Sequence, residues 1–276
     1  MDLELEKTHF VITGASGGIG FEITKHLIEE GANITASFNS QPRDLEELAK
    51  KYPRQVNPVK VDVHQEESVM NLFAVANEKF GRVDAAVANA GIANHEGLGV
   101  HEMSLTQWEE TLRVNLTGAF LTAKYFFKNL DKFPADHASL VFVGSTAGLF
   151  GEAWYSDYSS SKAGMHGLLM SLKNEIVYLA SRGRVNLVNP GWTVTPMAEG
   201  VVSDPEMMTR ITQTIPLRKV ATPADIANAI IFLSSDAIAG HISGQTITIA
   251  GGMEGRLLFT PDEVEDFVER YQSKSE

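Results

Sequence analysis

The chain predicts a doubly wound α/β fold, a mainly parallel seven-stranded sheet with helices on both faces. Three observations carry the prediction. Strand-like runs alternate with helical patterns along most of the length, and those runs are near-continuously apolar, as strands covered on both faces are. A glycine-rich turn joins the first strand to the first helix. With 276 residues, 43% of them hydrophobic, the chain suits one large domain with a full core. No repeat, linker or composition break divides residues 1–252, and 253–276 read as an extension.

The first strand is the apolar, β-prone run His9-Phe10-Val11-Ile12-Thr13. Gly14-Ala15-Ser16-Gly17-Gly18-Ile19-Gly20 follows at once. Ile19, Ile23 and Leu27 then recur every four residues with Ile28 beside them, and Gly31 stands where a helix C-terminal cap belongs. Strand, glycine turn and helix form the setting of a dinucleotide site. Glycines admit a pyrophosphate close to the backbone, and a helix N-terminus offers free N–H groups and the positive end of a dipole. The spacing is G-x-x-x-G-x-G, not G-x-G-x-x-G, and a turn that binds nothing is its plainer reading. Further strands are expected at Asn33–Phe38, Val59–Val63, Val83–Ala88, Leu140–Val143, Arg184–Val188 and Thr246–Ile249. Helices are expected at 43–52, 66–80, 106–130, 156–181, 197–213 and 223–233.

Composition narrows the functional classes. A net charge of −12 argues against nucleic acid or anionic membrane as a partner, since both are polyanions. With no cysteine, disulfides, thiolate metal sites and cysteine nucleophiles are excluded. The eight histidines are scattered with no HExxH, so no metal centre is expected. Met1–Glu6 is acidic and lacks the pattern of a secretion signal, and no apolar run reaches the roughly 18 residues that span a bilayer. A cytoplasmic protein is expected.

Tyr158 and Lys162 are four residues apart in a helical segment and so share a face. A neighbouring ammonium favours phenolate, and the expectation is that it brings the tyrosine below its ordinary pKa of about 10, into the range of a general acid–base. Alone, such a pair is more often a solvated surface pair. Tyr155 does not compete, because Ser159 lies four residues beyond it.

With these pieces together, residues 8–253 resemble the short-chain dehydrogenase/reductase family. Thr13-Gly14-Ala15-Ser16-Gly17-Gly18-Ile19-Gly20 is similar to its TGxxxGIG cofactor turn. Asp62-Val63 follows the third strand, where the family contacts adenine. Asn89-Ala90-Gly91 resembles the family's N-A-G after the fourth strand, with Ala88 in place of its commoner first Asn. Asn115 lies in the long fourth helix, and the thirteen residues from Ser145 to Tyr158 match the family interval. Asn189-Pro190-Gly191-Trp192-Thr193-Val194-Thr195 is similar to its P-G segment, whose threonines reach the cofactor.

The resemblance implies a Rossmann-type fold and an NAD(P)-dependent oxidoreductase that interconverts a carbonyl and a secondary alcohol. By it, Ser145 holds the carbonyl oxygen, Tyr158 passes the proton, Lys162 binds the nicotinamide ribose and lowers the tyrosine pKa, and Asn115 keeps a water-linked relay. Cofactor contacts are implied for Gly14, Ser16, Gly18, Ile19, Gly20, Phe38, Asn39, Ser40, Asp62, Val63, Asn89, Ala90, Gly91, Tyr158, Lys162, Pro190, Gly191, Thr193 and Thr195. Plainer roles stand beside these: backbone bonding in a kinked helix for Asn115, a strand-end cap for Ser145, a satisfied turn for Asp62.

NADP(H) is expected over NAD(H). An NAD-selective site usually ends the second strand with a carboxylate, and Phe38 stands there, with Asn39, Ser40 and Arg43 able to meet a 2′-phosphate. Against this, Ser16 occupies a turn position where many NADP-selective relatives carry arginine.

Ala93–Leu98, Trp154, Tyr155, Trp192 and Met197–Ile215 would face substrate by analogy, with aromatic core the plainer reading of each Trp. Many relatives reduce 3-oxoacyl groups on an acidic acyl carrier. A −12 partner needs a basic patch for that, which Arg113, Lys124 and Lys128 could form. The balance favours a free small ketone, sugar or polyol. The alternatives are a 3-oxoacyl thioester reductase, a lyase or epimerase on the same fold, and a cofactor-binding sensor or scaffold without turnover.

The stripe Met165, Leu169, Leu172, Ile176, Leu179 reads as core or subunit interface. Ala250 replaces the Asp of the family's closing D-G-G. In the extension, Thr260-Pro261-Asp262-Glu263 reads as a helix start, and Val264, Phe267, Val268 and Tyr271 form one apolar stripe of a helix over about 261–271. Such a helix is marginal alone, so it is expected to dock on its own body or a neighbouring subunit. A homo-oligomer, tetramer or dimer, is expected.

Overall fold

The computed structural model describes residues 2–93 and 97–254, with Leu257, Thr260, Pro261 and Val264 beyond them. Its strands are β1 His9–Ile12, β2 Asn33–Phe38, β3 Val56–Lys60, β4 Ala85–Ala88, β5 His137–Val143, β6 Arg182–Pro190 and β7 Thr246–Ile249. They form one seven-stranded sheet in the order β3-β2-β1-β4-β5-β6-β7, and every pairing is parallel. The order reverses between β1 and β4. In a doubly wound sheet the ligand crevice opens there, beyond the strand C-termini.

The helices are α1 Gly18–Glu29, α2 Leu45–Lys51, α3 Glu66–Phe80, α4 Leu105–Leu112, α5 Gly118–Lys132, α6 Ala147–Phe150, α7 Ser156–Glu175, α8 Glu199–Val202, α9 Pro205–Thr212, α10 Pro223–Ser234 and α11 Asp236–Ala239. The strands feed two cores, one on each face. Val11, Leu140 and Phe142 pack with Leu72 and Phe73 of α3, Phe126 of α5, and Met165 and Leu169 of α7. The alternate residues Phe10, Ile12, Val141 and Val143 pack with Ile23 and Leu27 of α1, Leu45 of α2, and Ile226 and Ile230 of α10. This period-2 division is what a sheet covered on both sides requires. The Met165, Leu169, Ile176 stripe is core, with Leu172 and Leu179 packed at its edge.

Several expected boundaries move, four of them for a local reason. The third strand is Val56–Lys60, earlier than Val59–Val63, because edge strand β3 accepts Pro58 opposite Ala36. The continuous helix expected at 106–130 is broken by a π-helical turn, Arg113–Thr117, centred on Asn115. The helix expected at 197–213 splits at Asp204, whose carboxylate accepts from the N–H groups of Glu206 and Met207 ahead of Pro205. Finally, α7 ends at Glu175 and continues as the 3-10 turn Ile176–Tyr178. At α1, Gly31 has φ +77°, the left-handed conformation of a C-terminal cap.

In the extension, Val264 is fully buried. The rest of the stripe expected there, Phe267, Val268 and Tyr271, lies outside the described residues. Among the described residues, no helix is long and apolar enough to cross a membrane.

Candidate active site

The C-terminal ends of β1 and β4 meet through the glycine turn. Gly14 has φ +67°, and a Cβ there would lie 2.9 Å from the Ala90 Cα. A Cβ on Gly20 would lie 2.3 Å from the Gly14 carbonyl oxygen. The turn thus folds back on itself at a spacing only glycine permits. Asn89 fastens it: its Nδ2 donates to the carbonyls of Thr13 and Gly14, each at 3.0 Å. Thr13 Oγ1 accepts from the N–H groups of Asn89 and Ala90 at 3.0 and 3.1 Å.

Helix α1 then starts at Gly18 with no side chain capping it. A close-approach glycine turn before an uncapped N-terminus of a twelve-residue helix fits a dinucleotide pyrophosphate. Ser16 and Ile19 lie in this turn, half-buried.

The P-G segment closes over the turn. Thr195 packs on Gly18, with its Cγ2 at 3.1 Å from the position of a Cβ there. Thr193 is buried and donates to the Gly191 carbonyl at 2.9 Å, and Pro190 accepts from the Thr146 N–H at 2.9 Å. Ala250 stands against Gly191, and the Gly191 N–H donates to the Ile249 carbonyl at 2.9 Å. Backbone and a small side chain therefore anchor this turn without the family's Asp.

At the end of β2, Phe38 packs at the edge of the core while Asn39, Ser40 and Arg43 are exposed. The Arg43 guanidinium reaches back over the glycine turn, with Nη1 at 2.9 Å from the position of a Gly17 Cβ. Asp62 has local partners. Its N–H donates to Ser68 Oγ at 2.9 Å, and its carboxylate lies 2.7 Å from His64 Nδ1. Val63 is buried beneath Gly118 at the start of α5.

Asn115, Ser145, Tyr158 and Lys162 come together at the same sheet edge. The π-helical turn places the fully buried Asn115 so that its Oδ1 accepts from the Ile92 N–H at 2.8 Å and its Nδ2 donates to the Ile92 carbonyl at 2.9 Å. The kinked-helix reading of Asn115 is thus literally present. Ser145 follows β5, with its N–H held by Asn189 Oδ1 at 3.1 Å and its hydroxyl bonded to Tyr158.

Lys162 Nζ lies 5.7 Å from the Tyr158 ring centre and donates to the Val143 carbonyl at 2.9 Å. A Cβ on Gly91 would meet Lys162 Nζ and Asn115 Oδ1, each at 3.2 Å, so Gly91 leaves room for both.

The electrostatics differ from expectation. Burial pushes the Tyr158 phenol above its ordinary value, partly offset by the Ser145 hydrogen bond. Burial also drives the Lys162 ammonium down to about 8. Lys162 is not among the groups that shift the tyrosine: its Nζ stands 5.7 Å from the ring centre and its hydrogen bond goes to a backbone carbonyl.

Trp154 is exposed in the left-handed conformation, φ +72°, and its carbonyl accepts from the Leu98 N–H. Beside it opens a cavity of about 360 Å³ lined by Val100, His101, Glu152 and Ser156. Burial pushes the Glu152 carboxyl up. Trp192, by contrast, packs with Met208, Ile211 and Val220, which is the aromatic-core reading. Ala93, Gly97 and Leu98 are described, and the residues between Ala93 and Gly97 lie outside the described set. A cavity of about 390 Å³ around Leu3, His26, Glu30 and Phe232 opens at the C-terminal end of α1, remote from this edge. Of the residues that could form a basic patch, Lys124 is bonded to Glu66 and Lys128 lies over the Tyr125 ring.

Sequence reading missed Thr111, Asp157 and Ser161, all buried polar residues. For Asp157 and Ser161 the signal was available, since they precede Tyr158 and Lys162 at the same spacing and continue to Met165 and Leu169.

Fold and site together define an oxidoreductase of the doubly wound, nicotinamide-dependent kind. A family model described as enoyl-(acyl carrier protein) reductase, of the short-chain dehydrogenase type, matches residues 14–254. The chain is 34% identical to the cis-4-hydroxycyclohexanecarboxylate dehydrogenase of Sinomonas cyclohexanicum, over 88% of this chain and 94% of that protein. It is 33% identical to the 3-oxoacyl-(acyl-carrier-protein) reductase FabG of Aquifex aeolicus, over 92% of this chain and all of that one. It is 34% identical to an acetoacetyl-CoA reductase of an Acinetobacter species, over 88% of this chain and 96% of that one. The crystal structure of gox2181 superposes with a TM-score of 0.84 at 27% identity, covering 91% of this chain and 97% of that one. The chain belongs to the short-chain dehydrogenase/reductase family.

Proposed function

We propose that the protein interconverts a carbonyl and a secondary alcohol on a small ketone, sugar or polyol, using NADP(H) in preference to NAD(H). The observation that carries the reading is the linked set Ser145–Tyr158–Lys162, closed by Asn115 across Gly91. The bound nicotinamide supplies the hydride.

The chain's own residues do the rest. Ser145 and Tyr158 bring two hydroxyl groups side by side, able to meet the oxygen of a reacting carbonyl as it gains negative charge. Tyr158, protonated through the neutral range because burial raises its pKa, gives that oxygen its proton in reduction. Lys162, charged below about 8 and 5.7 Å from the Tyr158 ring centre, would hold the nicotinamide ribose. Asn115 fixes the backbone at Ile92 and so the wall of the site.

The preference for NADP(H) rests on Phe38 in place of a carboxylate and on Arg43 over the glycine turn, where a cation meets phosphate. Arg43 there does the work that an arginine at position 16 would do. A second reading, reduction of 3-oxoacyl thioesters, is favoured by relatives whose names state that activity. The pairing of Lys124 with Glu66 weighs against an acidic carrier as partner.

A panel of ketones, ketoses, polyols, 4-hydroxycyclohexanecarboxylate and acetoacetyl thioesters, each assayed with NADPH and NADH, tests both. Turnover confined to thioesters replaces the first reading with the second. A higher kcat/KM with NADH overturns the cofactor assignment.

A further inference from the structure

Resting on that reading, we infer that Asp157 and Thr111 are positioning residues: a hydrogen-bonded rung between α4 and α7 that sets where Tyr158 points. Asp157 Oδ2 accepts from Thr111 Oγ1 at 2.8 Å and from Gln107 Nε2 at 3.5 Å. Its Oδ1 accepts from the Tyr158 backbone N–H at 2.8 Å. Both Asp157 and Thr111 are buried, with 2% and 0% of their surfaces exposed.

One turn further along, a second rung repeats the pattern. Asn115 Nδ2 donates to Ser161 Oγ at 3.0 Å, and that hydroxyl donates to the Tyr158 carbonyl at 2.7 Å. The rungs are four residues apart on both sides, at 111 and 115 and at 157 and 161. Tyr158 and Lys162 each stand one residue beyond a rung, about 100° around the helix. The two rungs therefore fix the rotation of α7 about its axis, and with it the direction of both side chains. The Tyr158 backbone is held on both sides of its Cα, its N–H by one rung and its carbonyl by the other.

Packing alone does not call for this arrangement. The buried stripe of α7 runs Asp157, Ser161, Met165, Leu169, polar where it flanks the reacting pair and apolar beyond. A buried carboxylate is costly to desolvate, and an apolar residue would fill the place with less penalty. The helix N-terminus and the hydroxyl donor stabilise the charge there. What the rung adds is direction, since hydrogen bonds fix an azimuth that sliding apolar surfaces do not.

The test compares Thr111→Val, which keeps shape and removes the hydroxyl, with Thr111→Ser, which keeps the hydroxyl. Asp157→Asn serves as a second variant if Thr111→Val does not fold. Thr111→Val is expected to lower kcat at least tenfold on whichever panel compound the wild type reduces, with KM for NADPH within about twofold; Thr111→Ser stays within about threefold of wild type. Independently of turnover, the tyrosinate absorbance of Tyr158, isolated by subtracting a Tyr158→Phe spectrum, is expected to titrate at lower pH in Thr111→Val than in wild type. Thr111→Ser is expected to leave that titration unmoved. A folded Thr111→Val that matches wild type in kcat or in the Tyr158 titration overturns the inference. A wild type that reduces nothing on the panel refutes the proposed function instead, and leaves the titration to decide the rung.

Discussion

Replacing Lys162 by Met is expected to abolish efficient turnover while making the fold more stable, and by an amount that depends on pH. Lys162 is buried, and its pKa falls from the ordinary 10.5 to about 8. Between those values the unfolded chain binds more protons than the folded one, so stability rises with pH across the window. The penalty of holding the ammonium in the folded state is about 3 kcal/mol near pH 7, about 2 near pH 9, and under about 1 above pH 10.5. Met is unbranched and fills the stem's channel, but it leaves the Val143 carbonyl without its donor, which costs about 1 kcal/mol. The net gain is therefore about 2 kcal/mol near pH 7, or a Tm rise of a few degrees, shrinking to about half that near pH 9. Thermal melts of both proteins at equal concentration and at those two pH values read the difference directly. A variant less stable than wild type near pH 7, or a difference that does not change with pH, would refute the claim that this lysine is held as a desolvated cation.

The glycine turn and the cofactor assignment give two further expectations. Gly20→Ala forces a methyl within 2.3 Å of the Gly14 carbonyl oxygen, so it should cost about 1–3 kcal/mol of stability and weaken NADPH binding at least tenfold, read by melting and by fluorescence titration. Arg43→Ala should raise KM for NADPH by about tenfold or more, the loss expected of one charge-assisted contact, while leaving KM for NADH within about twofold. Equal effects on the two cofactors would place Arg43 away from the 2′-phosphate.

Where periodicity and turn chemistry are local, the sequence was enough. The β1–glycine turn–α1 unit, the two-sided burial of the strands and the Gly31 cap all follow from apolar spacing and backbone freedom, and the structure places them as expected. The convergence of Asn115, Ser145, Tyr158 and Lys162 was legible through resemblance, because Asn115, Ser145 and the Tyr158–Lys162 pair come from three separate segments of the chain.

What stayed hidden depends on tertiary contact. The π-helical turn at Asn115 exists because its side chain bonds the Ile92 backbone, which no window around Asn115 contains. The pKa of Tyr158 turned on how deeply α7 is buried, a quantity the four-residue spacing does not carry. Arg43 was one cation among several until its guanidinium proved to lie over Gly17, and Lys124 was a free charge until it met Glu66.

The most direct test of the account is Tyr158→Phe, assayed for NADPH binding and for turnover in the same preparation. The phenyl ring keeps the packing and removes only the hydroxyl bonded to Ser145. NADPH affinity within about threefold of wild type with kcat reduced at least a thousandfold is the expected pair of results, the scale of losing a principal proton donor together with its aim. Turnover surviving at more than about a tenth of wild type would contradict it, because some other group would then be delivering the proton.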